Sequence, residues 1–402
     1  MLLKDVIILF IILLAYSLLR KKWAIASYLL SVYLFTFLVA LSIESIFPFY
    51  TDSKPAGLLF ASAILFYIIP YFRAAPQIVP PNATKEYKII KATKIISFIL
   101  LFLDLLIIPA VITALHVGFE DLRQGGFASH YTGNFITSIA IKFLDILNPL
   151  SFSILIIFFY LYTFTNTRKK TLIIIFIASL SAPYYGIVSG GRTQMIYWLL
   201  SLGFNISLFY TYLDHNKRRL LTKNLTIIVG SIFLYLAAAT IARFANSDWG
   251  TENSLLIYIG QPYLNFGYFV DNYPPNINIS LERIFPLTNS FINGDFDLEK
   301  YRDLVYSRSG MDIGIFYTFL GDFFVDIGVK GIYIYSIIYF IVATYVCKRK
   351  TIDLSFLLLL GILFLIPLQG IFYYSFWKKQ VTFCALLVWL FSRYIKSNQN
   401  SL

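Results

Sequence analysis

The chain has 402 residues, of which 58% are hydrophobic and only 13% charged, and its mean hydropathy is +0.72. Soluble domains are about half apolar and about a quarter charged, so this composition excludes a soluble globular protein and points to a polytopic membrane protein. The 33 basic and 21 acidic residues leave a formal charge of +12, which on such a chain reads as topology if the cations cluster in alternate loops, and not as a nucleic-acid surface.

A bilayer crossing takes roughly 20 mainly apolar residues. About eleven stretches qualify, within a range of about ten to twelve: 5–19, 24–44, 55–72, 95–115, 136–164, 171–189, 194–213, 224–243, 326–347, 353–373 and 380–396. The first is followed by Arg20, Lys21 and Lys22. A cleaved signal peptide carries its charge in front, so this stretch is expected to be a retained helix. The fifth carries Lys142, Asp145 and Pro149 and is expected to be broken or tilted. Alternate connections hold the cations: 20–22, 73–94, 168–170, 217–223, 348–350 and 393–396 contain 20 of the 33, and these segments with their immediate flanks hold only the acids Glu86, Asp214 and Asp353. The positive-inside rule places these segments in the cytoplasm, with the N-terminus outside and the C-terminus inside. The expected fold class is therefore all-α, one integral membrane domain over 1–402. A long extracytoplasmic segment, 246–325, is expected to fold against it. No internal repeat is visible. The two cysteines, Cys347 and Cys384, and three scattered histidines form no metal-ligand spacing, so neither a metal nor a cofactor is expected.

Ionisable residues at the wrong place are the next signal. Asp104 lies in the middle of the fourth stretch, and Lys142 and Asp145, three residues apart, share a helix face inside the fifth. Ionisable groups at that depth usually face a cavity and serve function; the plain alternative is a structural ion pair. Arg123, in Glu120-Asp121-Leu122-Arg123, falls on the outer side. So does Ser189-Gly190-Gly191-Arg192, where glycines let the backbone turn tightly beside a guanidinium fork suited to phosphate. Arg243 ends the eighth stretch on the same side. Cations there run against topology, so several together suggest a bound anion, for which a lipid diphosphate is the natural candidate; snorkelling to headgroups and pairing with Glu120 or Asp248 are the alternatives. Asp295-Phe296-Asp297 has the form of a metal-binding pair, but it lies outside, away from nucleotide sugars. Trp249, Tyr258, Tyr263, Tyr268 and Tyr273 offer faces for sugar stacking or for an interfacial belt. Last, Asp322, Asp326 and Lys330 recur every fourth residue, which on a continuous helix makes one polar stripe able to orient or deprotonate a hydroxyl.

Gly190-Gly191-Arg192, the long late outer segment, and Tyr317-Thr-Phe-Leu-Gly321-Asp322-Phe-Phe-x-Asp326-x-Gly328-x-x-Gly331 together resemble the oligosaccharide repeat-unit polymerases of the Wzy type. These are bacterial inner-membrane proteins of O-antigen, capsule and exopolysaccharide assembly. The architectural likeness covers most of the chain, and the motif likeness covers the two stretches quoted. The resemblance implies a metal-independent, GT-C-like glycosyltransferase. It would move the growing glycan from undecaprenyl diphosphate onto an incoming lipid-linked repeat unit, and a chain-length regulator is a further possible partner. On that reading Arg192 and Arg243 stabilise the leaving diphosphate, and Asp322 or Asp326 serves the acceptor hydroxyl. Arg123, Lys142, Gly190, Gly191 and Lys330 are expected to help hold substrate. An O-antigen ligase would be expected to carry a histidine in the late outer segment, and 246–325 has none. A lipid-linked oligosaccharide flippase or other transporter would be expected to show repeated halves and discontinuous helices.

Overall fold

A computed structural model describes residues 2–20, 24–46, 53–73, 77–117, 135–188, 192–244, 250–273, 303, 305–307, 316–373 and 379–396. Helix dominates, as the composition requires: a backbone in lipid must satisfy its own hydrogen bonds. The helices are α1 (Leu3–Arg20), α2 (Ala24–Ile43), α3 (Lys54–Ile68), α4 (Ala83–Leu106), α5 (Ile108–Val117), α6 (Phe135–Leu147), α7 (Leu150–Phe164), α8 (Lys169–Ser179), α9 (Ser181–Val188), α10 (Thr193–Phe209), α11 (His215–Phe244), α12 (Gly250–Asn272), α13 (Thr318–Cys347), α14 (Leu354–Gln369) and α15 (Lys379–Lys396). Polar caps set several starts. Ser53 Oγ accepts from Ala56 N at 3.1 Å, Asn82 Oδ1 from Lys85 N at 2.9 Å, and Asp353 Oδ1 from Phe356 N at 3.0 Å.

Helices occupy all eleven apolar stretches, but fewer are long and apolar enough to cross a bilayer. Five meet that standard: Ala24–Ile43, Lys54–Arg73, Lys169–Val188, His215–Ile241 and Thr318–Cys347. Two bent pairs raise the number to seven if each is one span: α4 with α5, bent by 49°, and α6 with α7, bent by 63°. The α14 helix has only 16 residues, about 24 Å at 1.5 Å per residue, against a hydrocarbon core of about 30 Å. The chain is thus an all-α multi-pass membrane protein with five to seven long apolar helices among the described residues.

The two bends, and the interruption between α8 and α9 within one span, share a cause. Pro109 is the second residue of α5, Pro149 precedes α7, and Pro183 is the third residue of α9, which follows α8 after Leu180. Proline fits the first turn of a helix but removes the N–H that would continue the one before, so each break falls just ahead of it.

The chain divides into two compact units, a division absent from the sequence reading of 1–402 as one domain. The first comprises 1–76, 252–350 and 363–379. Its core is aromatic: Phe37 meets Phe60 edge-on at 5.6 Å, and Tyr263 of α12 meets each of them at 5.2 Å. Part of the 246–325 segment is therefore a helix set against α2 and α3. Pro367 within α14 leaves the Leu363 carbonyl without its helical donor, and Tyr339 Oη donates to that oxygen at 3.0 Å. The second unit comprises 77–251, 351–362 and 380–402. It holds the proline-linked breaks and a two-residue parallel pair, β1 (Gln77–Ile78) against β2 (Thr351–Ile352). Val79 N donates to Ile352 O at 2.9 Å, and Tyr160 Oη caps Val79 O at 2.8 Å.

Candidate functional site

In the second unit Arg192 stands immediately before α10 and is only 7% exposed. A buried guanidinium needs partners, because removing a charge from water is costly. One Arg192 nitrogen, Nη1, donates to Thr240 Oγ1 of α11 at 2.7 Å. The Thr240 hydroxyl spends its own proton on Leu236 O at 2.6 Å, which turns its lone pairs toward the arginine. Arg243 follows Thr240 by three residues in the last turn of α11, so the backbone brings both arginine positions to one end of that helix. The side chain of Arg243 lies outside the described residues, as do Gly190, Gly191 and Arg123. The first N–H groups of α10 add the positive end of a helix dipole beside Arg192. An arginine at a helix N-terminus is chemistry suited to an anionic oxygen.

Also in the second unit are Asp104, Asp145 and Lys142. Asp104 ends α4 and accepts from Ser181 Oγ at 2.5 Å; Asp145, near the end of α6, accepts from Tyr185 Oη at 3.0 Å. Ser181 and Tyr185 are one turn apart on α9, so one face of that short helix serves both carboxylates. Lys142 is exposed. Tyr185, a phenol on another helix, is thus a partner of Asp145 that spacing within α6 does not reveal.

In the first unit Asp322 is fully buried and Asp326 is 7% exposed. Both lie in the opening stretch of α13, one turn apart, among Phe319, Phe323 and Phe324. That stretch is anchored at its start. Thr318 N donates to Phe372 O at 3.0 Å and Phe319 N to Gly370 O at 2.8 Å, so the turn after α14 satisfies helix donors that otherwise go unmatched. Thr318 itself has φ +65°, a conformation that β-branched residues rarely adopt. Asn265 of α12 fixes the approach, its Nδ2 donating to Phe316 O at 2.7 Å.

Gly328 then breaks the helix with φ +64° and ψ −171°. The expected stripe of Asp322, Asp326 and Lys330 fails at this point, since it assumes unbroken helix. Lys330 lies beyond the break and is exposed while both carboxylates are buried. Just past the break, the Ile327 side chain fills the place that a Cβ on Gly331 would take. Two glycines of the quoted motif thereby acquire a structural reason.

No family model matches the chain, and no curated protein or solved structure shows significant similarity to it. The site is therefore assembled from its own chemistry. Sequence reasoning missed Thr240, Ser181, Tyr185 and Asn265. Of these only Thr240 left a trace, three residues before a misplaced arginine on a helical face.

Proposed function

We propose that this chain is a Wzy-type polymerase of lipid-linked oligosaccharide repeat units, acting at the outer face of a bacterial plasma membrane. The observation that carries this reading is Arg192, buried at the N-terminus of α10 and held by Thr240 one turn from Arg243. A departing diphosphate needs preorganised donors of this kind. In the reaction, a hydroxyl of the incoming repeat unit attacks the anomeric carbon of the lipid-linked glycan. The bond from that carbon to the diphosphate oxygen breaks, and undecaprenyl diphosphate leaves with the electron pair. Asp322 or Asp326 takes the proton of the attacking hydroxyl. The full reading includes eleven spans, a GT-C-like arrangement, an outer N-terminus and an inner C-terminus.

Arg192→Ala and Arg243→Ala are each expected to abolish long glycan chains, seen on polysaccharide gels, while the protein inserts at normal levels. Arg192→Lys is expected to fail as well, because an ammonium lacks the fork. Normal chain lengths in both alanine variants would sink the proposal.

A transporter is the second reading, and the bent pairs favour it: α4/α5 and α6/α7 each carry a carboxylate next to the break. Under the polymerase reading Asp104→Asn and Asp145→Asn leave lipid-linked substrate translocation unchanged in vesicles. Loss of translocation in both variants would favour the transporter.

A further inference from the structure

A groove in the second unit lies outside the site described above. It runs between α14 and α15 and has a cavity volume of about 370 Å³, within the ordinary range for small-molecule sites. Ser355, Leu359 and Ile362 form one wall at helical spacing, and Ala385, Val388 and Ser392 form the other. The apolar residues continue to the Ile362 end, and the polar groups gather at the opposite end.

That end is basic. Arg393 stacks its guanidinium over the Trp389 ring at 5.2 Å, and Lys396 Nζ sits 4.7 Å over the Phe356 ring. The aromatic faces hold both cations at the mouth. Asp353 is the competing anion, with Oδ2 3.9 Å from Lys396 Nζ. Both members of that pair are about two-fifths exposed, so their attraction is weak and one carboxylate does not neutralise two cations. Ser355 supplies a separate observation. It is 9% exposed and lines the groove, and its hydroxyl has no hydrogen-bond partner among the described residues. A buried hydroxyl left unmatched is costly, so a ligand oxygen at this place is favoured.

We propose that this groove binds an anionic glycerophospholipid, with the phosphate on Arg393 and Lys396 and one acyl chain along the α14/α15 walls. Ser355 donates to a headgroup or ester oxygen. A single polar end on an apolar slot matches an amphiphile with one head. The net positive mouth selects an anionic lipid over a zwitterionic one, as basic pockets between membrane helices do. The proposed orientation puts this mouth at the inner leaflet, opposite the diphosphate of the glycan donor. The lipid site itself does not rest on the polymerase reading.

The test is native mass spectrometry of the full chain in micelles holding equimolar phosphatidylglycerol and phosphatidylethanolamine. The wild type is expected to retain phosphatidylglycerol preferentially. Arg393→Gln with Lys396→Gln is expected to weaken that retention roughly 25-fold, with phosphatidylethanolamine unchanged. Ala385→Phe, which fills the groove and keeps both cations, is expected to remove the bound lipid. Equal retention of the two lipids by the wild type, or undiminished phosphatidylglycerol on the double variant, would overturn the proposal. Displacement of phosphatidylglycerol by an equal amount of undecaprenyl phosphate would overturn it too, by assigning the groove to the polyprenyl substrate.

Discussion

Thr240 illustrates how much a single hydroxyl can carry. It receives Arg192 and gives its own proton to Leu236 O. Thr240→Val keeps the shape and removes both roles. The buried guanidinium then loses a charge-assisted bond of about 1.5–3 kcal/mol. The purified protein is expected to melt at a lower temperature in detergent, and glycan chains should shorten without vanishing. An unshifted melting curve would mean that other partners hold the arginine. The carboxylates call for isosteric exchange: Asp322→Asn or Asp326→Asn should slow chain extension by about 10²- to 10⁴-fold, and the more severe variant marks the base. The residues differ in how well they could be read. Arg192 was legible because the charge pattern of the loops makes it a cation on the side expected to lack them. Asp322 was legible because a carboxylate among phenylalanines stands out. Thr240 was not, because a threonine in an apolar helix usually bonds its own backbone and signals nothing further. Lys330 was misread because regular spacing names a face only while the helix continues.

The break at Gly328 gives a prediction about the element that contains it. A Cβ on Gly328 meets nothing within 4 Å, and neither does one on Gly230 in the middle of α11. Space is therefore equal at the two positions, and only the backbone differs. Gly328→Ala is expected to cost about 1–3 kcal/mol, because φ +64° with extended ψ is almost exclusive to glycine. Gly230→Ala is expected to stabilise by up to about 1 kcal/mol through helix propensity. Paired thermal melts decide the matter, and two shifts of the same sign would contradict the assigned backbone at Gly328. The eleven apolar stretches were readable from hydropathy and each holds helix, whereas α12, inside the 246–325 segment, was not read as one. The α6/α7 stretch was expected to be broken or tilted from Lys142, Asp145 and Pro149, and it is broken. The α4/α5 break was not, although Pro109 was there to be weighed: a hydropathy window averages over a proline and sees only apolar length.

For the molecule as a whole, charge predicts orientation. Lys348→Cys should resist a membrane-impermeant maleimide in intact cells and react after lysis, whereas Asn276→Cys should react from outside. Both native cysteines are buried, so background labelling should be low. The reverse pattern would invert the topology and remove the outer placement of Arg192 on which the polymerase proposal rests. The division into two units was beyond a sequence reading, because each is assembled from stretches far apart in the chain. That assembly has a consequence in time. The parallel register pairs Ile78 with Ile352. A ribosome at about 5–20 residues per second needs on the order of a quarter-minute to a minute to travel between them. During that interval the β1 edge has no strand partner, and the second unit lacks α15. A nascent chain halted before residue 351 thus holds most of its helices and still has one open edge.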